Sequence, residues 1–340
     1  GRSGADAIAA LVAAYEIQLR LCDVVAAPGI SARGWHPGTD VQFASAAAAA
    51  KLLGSDQGVI AHALALAGSQ NNTLAQSQRG HIPMMKATAE ATVAKAGVEA
   101  ALLAAAGMTG PDEIFEGVAG WGKVVAGEVD FDRLTAPVGE RYRILDTCLK
   151  PYAAVAGAMA PVRAALDLAA QNKFDARSIA GVTIKLHAVA VKKATDPRKA
   201  YPRDKETADH SYHYCIAAAL LDGACGPAQF TDERIGSADL KAVIDKTQLA
   251  ADLALTALYP KASGGGVIVT LADGRELAKT YEYPPGHPVN PLTGDDIARK
   301  FAELADGLLA PAAVQRVIDD VMTLDRRANI SGLLAPLIAL

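Results

Sequence analysis

Apolar residues recur at helical spacing from Ala5 to about Asp23, through Ile8, Leu11, Val12, Tyr15, Ile17 and Leu21. This periodicity predicts an amphipathic first helix, broken at Ala27-Pro28-Gly29. A loop, SARGWHPGTD over 31–40, feeds a second helix over Val41–Leu53, which Gly54 closes. A third helix is expected over 56–67, a polar loop over 69–80, and a fourth helix over Lys86–Ala106. The pattern changes near Pro151. Helical spacing over 160–170 gives way to strand-like alternation in IAGVTIKLHAV, 179–189. Helices are expected again over 208–221 and 237–250. Two short apolar runs, 266–271 and 276–283, flank Ala272-Asp273-Gly274, whose Asp-Gly pair marks a hairpin. Further helices follow over 293–308 and 311–324, the second with proline at its first position, and a last short turn over 330–335. The fold expected is mainly α: a large all-helical domain from 1–145 and 284–340, and a smaller α+β domain over 146–283.

Composition sharpens this picture. The 340 residues are 51% hydrophobic but only 5% aromatic, so the core must be built from Ala, Leu, Val and Ile, which favours closely packed helices. The net charge of -4 and the lack of a basic cluster argue against nucleic acid as a partner. Cys22, Cys148, Cys215 and Cys225 are scattered without a CxxC, which suggests reduced thiols in a cytoplasmic protein and no thiolate metal site. No apolar run is long enough to span a bilayer, and the start carries no signal-peptide pattern. Nucleophile elbow, P-loop, HExxH and dinucleotide fingerprints are all absent. Ser263-Gly264-Gly265-Gly266 precedes a strand, so it does not cradle phosphate at a helix start.

Several polar residues stand out. His36 lies in the rigid turn Gly34-Trp35-His36-Pro37-Gly38, where it either caps the next helix or serves as a proton-transfer or anion-binding group. Lys86 begins an alanine-rich helix, and a cation there is disfavoured by the helix dipole unless an anion is near. Asp209-His210-Ser211-Tyr212-His213-Tyr214 opens a helix of small residues: Asp209 can cap it, His210 is a possible substrate contact, and Tyr214 is placed to reach a pocket as an acid. Lys150 marks the junction of the two domains, where clefts form. His62 is expected in the core, His187 at a strand end and His287 in a loop.

These segments together resemble the MmgE/PrpD family, which includes 2-methylcitrate dehydratase, cis-aconitate decarboxylase and iminodisuccinate epimerase. The resemblance is carried by AAYEIQLRL, GWHPGTDVQFASAAAAAKLLG, PMMKATAEATVAKAGVEAALLAAAGMTGP with FEG, KETADHS with YHYCIAAALLDG, and YPPGHPVNPLT. It runs through the chain in the family's order. MMKATAE…GMTGP and KETADHS look more like the methylcitrate dehydratase side. The resemblance implies a helical domain with an α+β lid, a homodimer, and an active site between the domains that needs no metal or other cofactor. It further implies a lyase, a dehydratase of a citrate-like polycarboxylate in propionate metabolism, with decarboxylation or epimerisation as alternatives. A non-catalytic helical protein that binds a carboxylate or a partner is the alternative of another class. Carried over by position, His36 and Lys86 are active-site residues, with Lys150 and Tyr214 contributed by the lid. The sequence departs from the family in lacking a histidine over 153–161. Family members usually carry a further segment ahead of the first helix here, with an acidic active-site residue, so the general base is left unassigned.

Overall fold

The structure is a computed structural model that describes residues 1–25 and 29–338. Ala27 and Pro28, the expected break after the first helix, lie outside the described residues. The chain divides into two compact units. The first comprises Gly1–Arg79, Met84–Thr147 and Gly307–Leu340; the second comprises Gly80–Pro83 and Cys148–Asp306.

The first unit is helical. Its main elements are α1 (Gly4–Val24), α2 (Val41–Leu53), α3 (Gln57–Gln70) and α4 (Met85–Ala105). Ser3 and Asp6 form a reciprocal capping box that starts α1, and Asp56 accepts from Val59 N to start α3. Gly54 ends α2 in the left-handed conformation, at φ 79°. Ala46, Ala50, Ala63, Ala67, Ala100, Ala101 and Ala104 form a buried seam among α2, α3 and α4. Small side chains let these helices approach closely. At Gly97 the approach is closest: a Cβ there would lie 2.4 Å from the Gln42 carbonyl oxygen and 2.1 Å from Ser45 Oγ. A second cluster gathers the few aromatics, with Phe43 against Phe115 and Trp121 at centroid distances of 4.8 and 5.3 Å.

The second unit is α+β. Its mixed sheet has the order β2-β1-β3-β4, with β1 (Ile179–Leu186), β2 (Thr247–Ala251), β3 (Gly265–Leu271) and β4 (Glu276–Tyr281). β1 pairs parallel with β2 and antiparallel with β3; β3 and β4 form the hairpin that Asp273-Gly274 signalled, with Gly274 at φ 87°. Val182, Ile184 and Leu186 of β1 are buried with Val267 and Val269 of β3 in one core with the helix Met159–Gln171, on which the helix Tyr212–Asp222 packs in turn.

Three expectations change. The helix expected over 237–250 stops at Ile244, and Thr247–Ala251 becomes strand β2, because its backbone groups bond to the edge of β1. Lys246 helps this switch by donating to the carbonyls of Ala176 and Ile179, at 3.0 and 2.6 Å. The stretch 284–306, expected to rejoin the helical body, belongs to the second unit. Leu149 N–H donates to the Gly286 carbonyl at 2.9 Å, and the Lys300 ammonium donates to the Lys150 carbonyl at 2.6 Å. Residues 80–83 also belong there, where buried Ile82 N–H donates to Thr207 Oγ1 at 3.1 Å.

Candidate functional site

The loop carrying His36 is pinned by its neighbour strand-like segment. His36 N–H donates to the Thr73 carbonyl at 2.7 Å, and Ala75 N–H donates to the Gly34 carbonyl at 2.8 Å. Thr39 Oγ1 adds bonds to the Thr73 backbone, donating to its carbonyl and accepting from its N–H. Gly34, at φ 92°, supplies the left-handed turn that delivers the loop. The imidazole is buried, and its Nδ1 accepts from Gly38 N–H at 2.9 Å. The capping role and the functional one are therefore compatible: Nδ1 caps the turn, and Nε2 remains without a hydrogen-bond partner. Burial holds the His36 pKa below its ordinary value; the Glu90 carboxylate opposes this and the Lys86 ammonium adds to it.

Lys86 sits in the first turn of α4, which has no acidic residue and no side-chain cap. The anion its position called for is Glu90, one turn on. Lys86 Nζ lies 3.3 Å from Glu90 Oε1, and His36 Nε2 lies 3.7 Å from the same oxygen. His36 and Lys86 are thus brought together in the first unit, two cation-capable donors facing one carboxylate oxygen. Gly38 makes the space, since a Cβ there would stand 2.7 Å from Glu90 Cγ. Sequence reasoning missed Glu90, although its four-residue spacing from Lys86 was a readable signal. It also missed Asp40, four residues after His36. Asp40 is buried, one of its oxygens is without a hydrogen-bond partner, and burial pushes its pKa up to about 7. Gln42, fully buried beside it in sequence, donates to Asn72 Oδ1 at 3.2 Å but leaves its own Oε1 unpartnered.

In the second unit the expected residues divide. Tyr214 is fully buried in the hydrophobic core beside Phe230, and its hydroxyl donates to the Gln229 carbonyl. Burial drives its pKa far upward. The side chain expected to reach a pocket as an acid, one turn after Ser211, is held in the core beside Phe230. Ser211, not Asp209, caps this helix, accepting from Tyr214 N–H at 3.1 Å. Asp209 instead pairs with His210 through Nδ1 and with Lys205 at 3.0 Å; despite burial, these two partners hold its carboxyl below the usual range. His210 Nδ1 also meets the Glu206 carbonyl at 2.9 Å, so both contacts fall on one ring nitrogen. Lys150 Nζ donates to the Ala154 carbonyl at 3.1 Å. His187 caps the helix Ala188–Ala194 and stacks on Tyr259. A hollow of about 910 Å³ in this unit is lined by Tyr152, Cys225 and Gln229 among others. Its three cations, Arg163, Arg299 and Lys300, are matched by Asp296, Glu303 and Asp306, so it has no net attraction for a polyanion.

Among the described residues, no group of three or more His, Cys, Asp or Glu is disposed to hold a metal ion, and no helix is long and apolar enough to cross a membrane. The four cysteines are free thiols.

The chain thus joins mainly helical structure to a small mixed sheet, and brings a histidine and a lysine onto one carboxylate oxygen. The chain belongs to the MmgE/PrpD family: the family's N-terminal domain matches residues 1–134 and its C-terminal domain residues 152–324. It is similar to a cis-aconitate decarboxylase-like protein of Aspergillus oryzae, 25% identical over 98% of this chain and 71% of that protein. Cis-aconitate decarboxylase of Homo sapiens is 27% identical over 95% of this chain and 67% of its own length. The Aspergillus terreus cis-aconitate decarboxylase is 24% identical over 98% and 70%.

Proposed function

We propose that this protein is an enzyme acting on a small polycarboxylate, and that its reaction is decarboxylation of a cis-aconitate-like tricarboxylate. The observation that carries this reading is the convergence of Lys86 Nζ and His36 Nε2 on one carboxylate oxygen. The names of the similar proteins favour decarboxylation among the family's reactions.

In such a reaction the bond to one carboxylate breaks and CO2 leaves. The electron pair spreads into the neighbouring unsaturated acid, and a proton completes the product. Lys86 holds a carboxylate and offsets the charge developing on it. His36, kept neutral by burial, donates a hydrogen bond from Nε2 to the same region, as an electrophile and not as an imidazolium. The proton donor is left unassigned, since the Tyr214 hydroxyl is engaged with the Gln229 carbonyl. Lys150, on the family resemblance, and His210, from its place at a helix entrance, are proposed as further carboxylate contacts, and the working form is proposed to be a homodimer in the cytoplasm.

Dehydration of a citrate-like acid such as 2-methylcitrate is the second reading, favoured by the KETADHS and MMKATAE…GMTGP segments. It would use the same donors, with a C–O bond broken and an α-proton removed.

The test is proton NMR of the protein mixed with cis-aconitate and, separately, 2-methylcitrate, with and without EDTA. Loss of CO2 from cis-aconitate supports the first reading, and water loss from 2-methylcitrate the second. Turnover of neither, with binding retained, makes the protein a carboxylate binder. Loss of activity on chelation overturns metal independence. Lys86→Ala is expected to lower turnover by at least about 100-fold, as loss of a charge-stabilising group does.

A further inference from the structure

Glu90 Oε1 lies 3.3 Å from Lys86 Nζ and 3.7 Å from His36 Nε2, the two donors assigned above to a substrate carboxylate. A carboxylate of the protein therefore stands where a carboxylate of the ligand would have to bind. Both cannot face the same donors at once without strong repulsion between like charges. The three side chains are not equally free to yield. His36 is 2% exposed and Lys86 18%, whereas Glu90 is 45% exposed and carries its carboxylate on a flexible stem. Glu90 is the one that can turn out to water, and Gly38 gives its stem room.

We infer that Glu90 is a specificity-determining residue: it holds the place of a substrate carboxylate and admits only acids with further carboxylates to hold elsewhere. This rests on the reading of Lys86 and His36 as carboxylate holders. An internal carboxylate competes at an effective concentration on the order of millimolar. A lone carboxylate, bound weakly by two donors, does not displace it. A di- or tricarboxylate adds contacts elsewhere and does. The exchange also preserves the charge balance at His36, because one carboxylate replaces another beside its Nε2. Lys86 likewise has an anionic partner before and after the exchange, so neither donor ends buried and uncompensated.

The experiment is calorimetric titration of the whole protein with acetate, succinate and tricarballylate, comparing the native chain with Glu90→Gln, Glu90→Ala and Lys86→Ala. Tricarballylate lacks the double bond, so it reports binding without turnover. Removing the internal competitor is expected to tighten tricarballylate binding by about tenfold or more and to make acetate binding measurable at millimolar concentration. The alanine variant covers the case in which the glutamine amide itself bonds to Lys86. Unchanged or weaker binding in both Glu90 variants, while Lys86→Ala still loses tricarballylate, overturns the inference and leaves the carboxylate-holding reading standing. Binding unaffected by Lys86→Ala, or no tricarballylate binding at all, overturns both.

Discussion

The backbone N–H of Gly38 donates to Nδ1 of His36 at 2.9 Å, which fixes the neutral imidazole with its proton on Nε2, facing Glu90. A turn that looks like simple helix punctuation thus decides which ring nitrogen meets the candidate site. A capping bond and a chemical role share one residue.

Because burial lowers the His36 pKa, the unfolded state binds more protons than the folded state near and below the ordinary value of about 6.5. Stability contributed by His36 is present above that pH and is lost as pH falls through it. His36→Asn, which can still accept from Gly38 N–H, is expected to show a smaller drop in melting temperature between pH 7 and pH 5 than the native chain. Thermal melts followed by circular dichroism across that range check it. Equal slopes would place the titration elsewhere.

Asp40 has the opposite sign. Its carboxyl rises from 3.8 to about 7, so the folded state holds a proton the unfolded state has lost. Stability therefore declines as pH climbs from about 4 through 7, by up to roughly 4 kcal/mol at about 1.4 kcal/mol per unit. Asp40→Asn is expected to gain over the native chain as pH rises, most above pH 7 and little at pH 4. Urea unfolding at pH 5 and pH 8 measures the difference directly.

Gly97→Ala is expected to destabilise the first unit by about 1–3 kcal/mol or more, as overpacking does. The added methyl meets the backbone carbonyl of Gln42, which cannot turn aside without moving α2. Helix propensity alone would predict a gain of up to about 1 kcal/mol from the same change. The sign of the measured change in unfolding free energy separates the two effects.

Tyr214→Phe leaves the Gln229 carbonyl without its donor. A loss of about 1–3 kcal/mol is expected, with turnover per folded molecule unchanged. A fall in turnover at unchanged stability would restore the tyrosine to the chemistry and contradict its placement in the core.

Much of the first unit was legible because its signals are local. The span Val41–Leu53 with Gly54 beyond it follows from periodicity and a left-handed stop, and α4 falls within a residue of its expected limits. The Asp273-Gly274 hairpin was equally clear, since its turn chemistry admits few alternatives. The segment Thr247–Ala251 was not: TQLAA has no strong period, and only the unpaired edge of β1 makes it a strand. For the site, the sequence singled out His36 and Lys86 by residue type and position. That they share an oxygen of Glu90 arises from the packing of the 34–36 loop against α4, which no spacing in the chain encodes. Tyr214 shows the converse. One turn into a helix, a tyrosine can face a pocket or a core, and the direction is set by which side of the Tyr212–Asp222 helix packs on the helices Met159–Gln171 and Ala238–Ile244. The sequence by itself determined the long helices of the first unit, the hairpin and the family, because caps, turns and periodicity act over a few residues. Tertiary structure decided β2, the fate of Tyr214 and the Lys86–Glu90–His36 cluster, because burial and long-range approach depend on surfaces that exist only once the chain has folded.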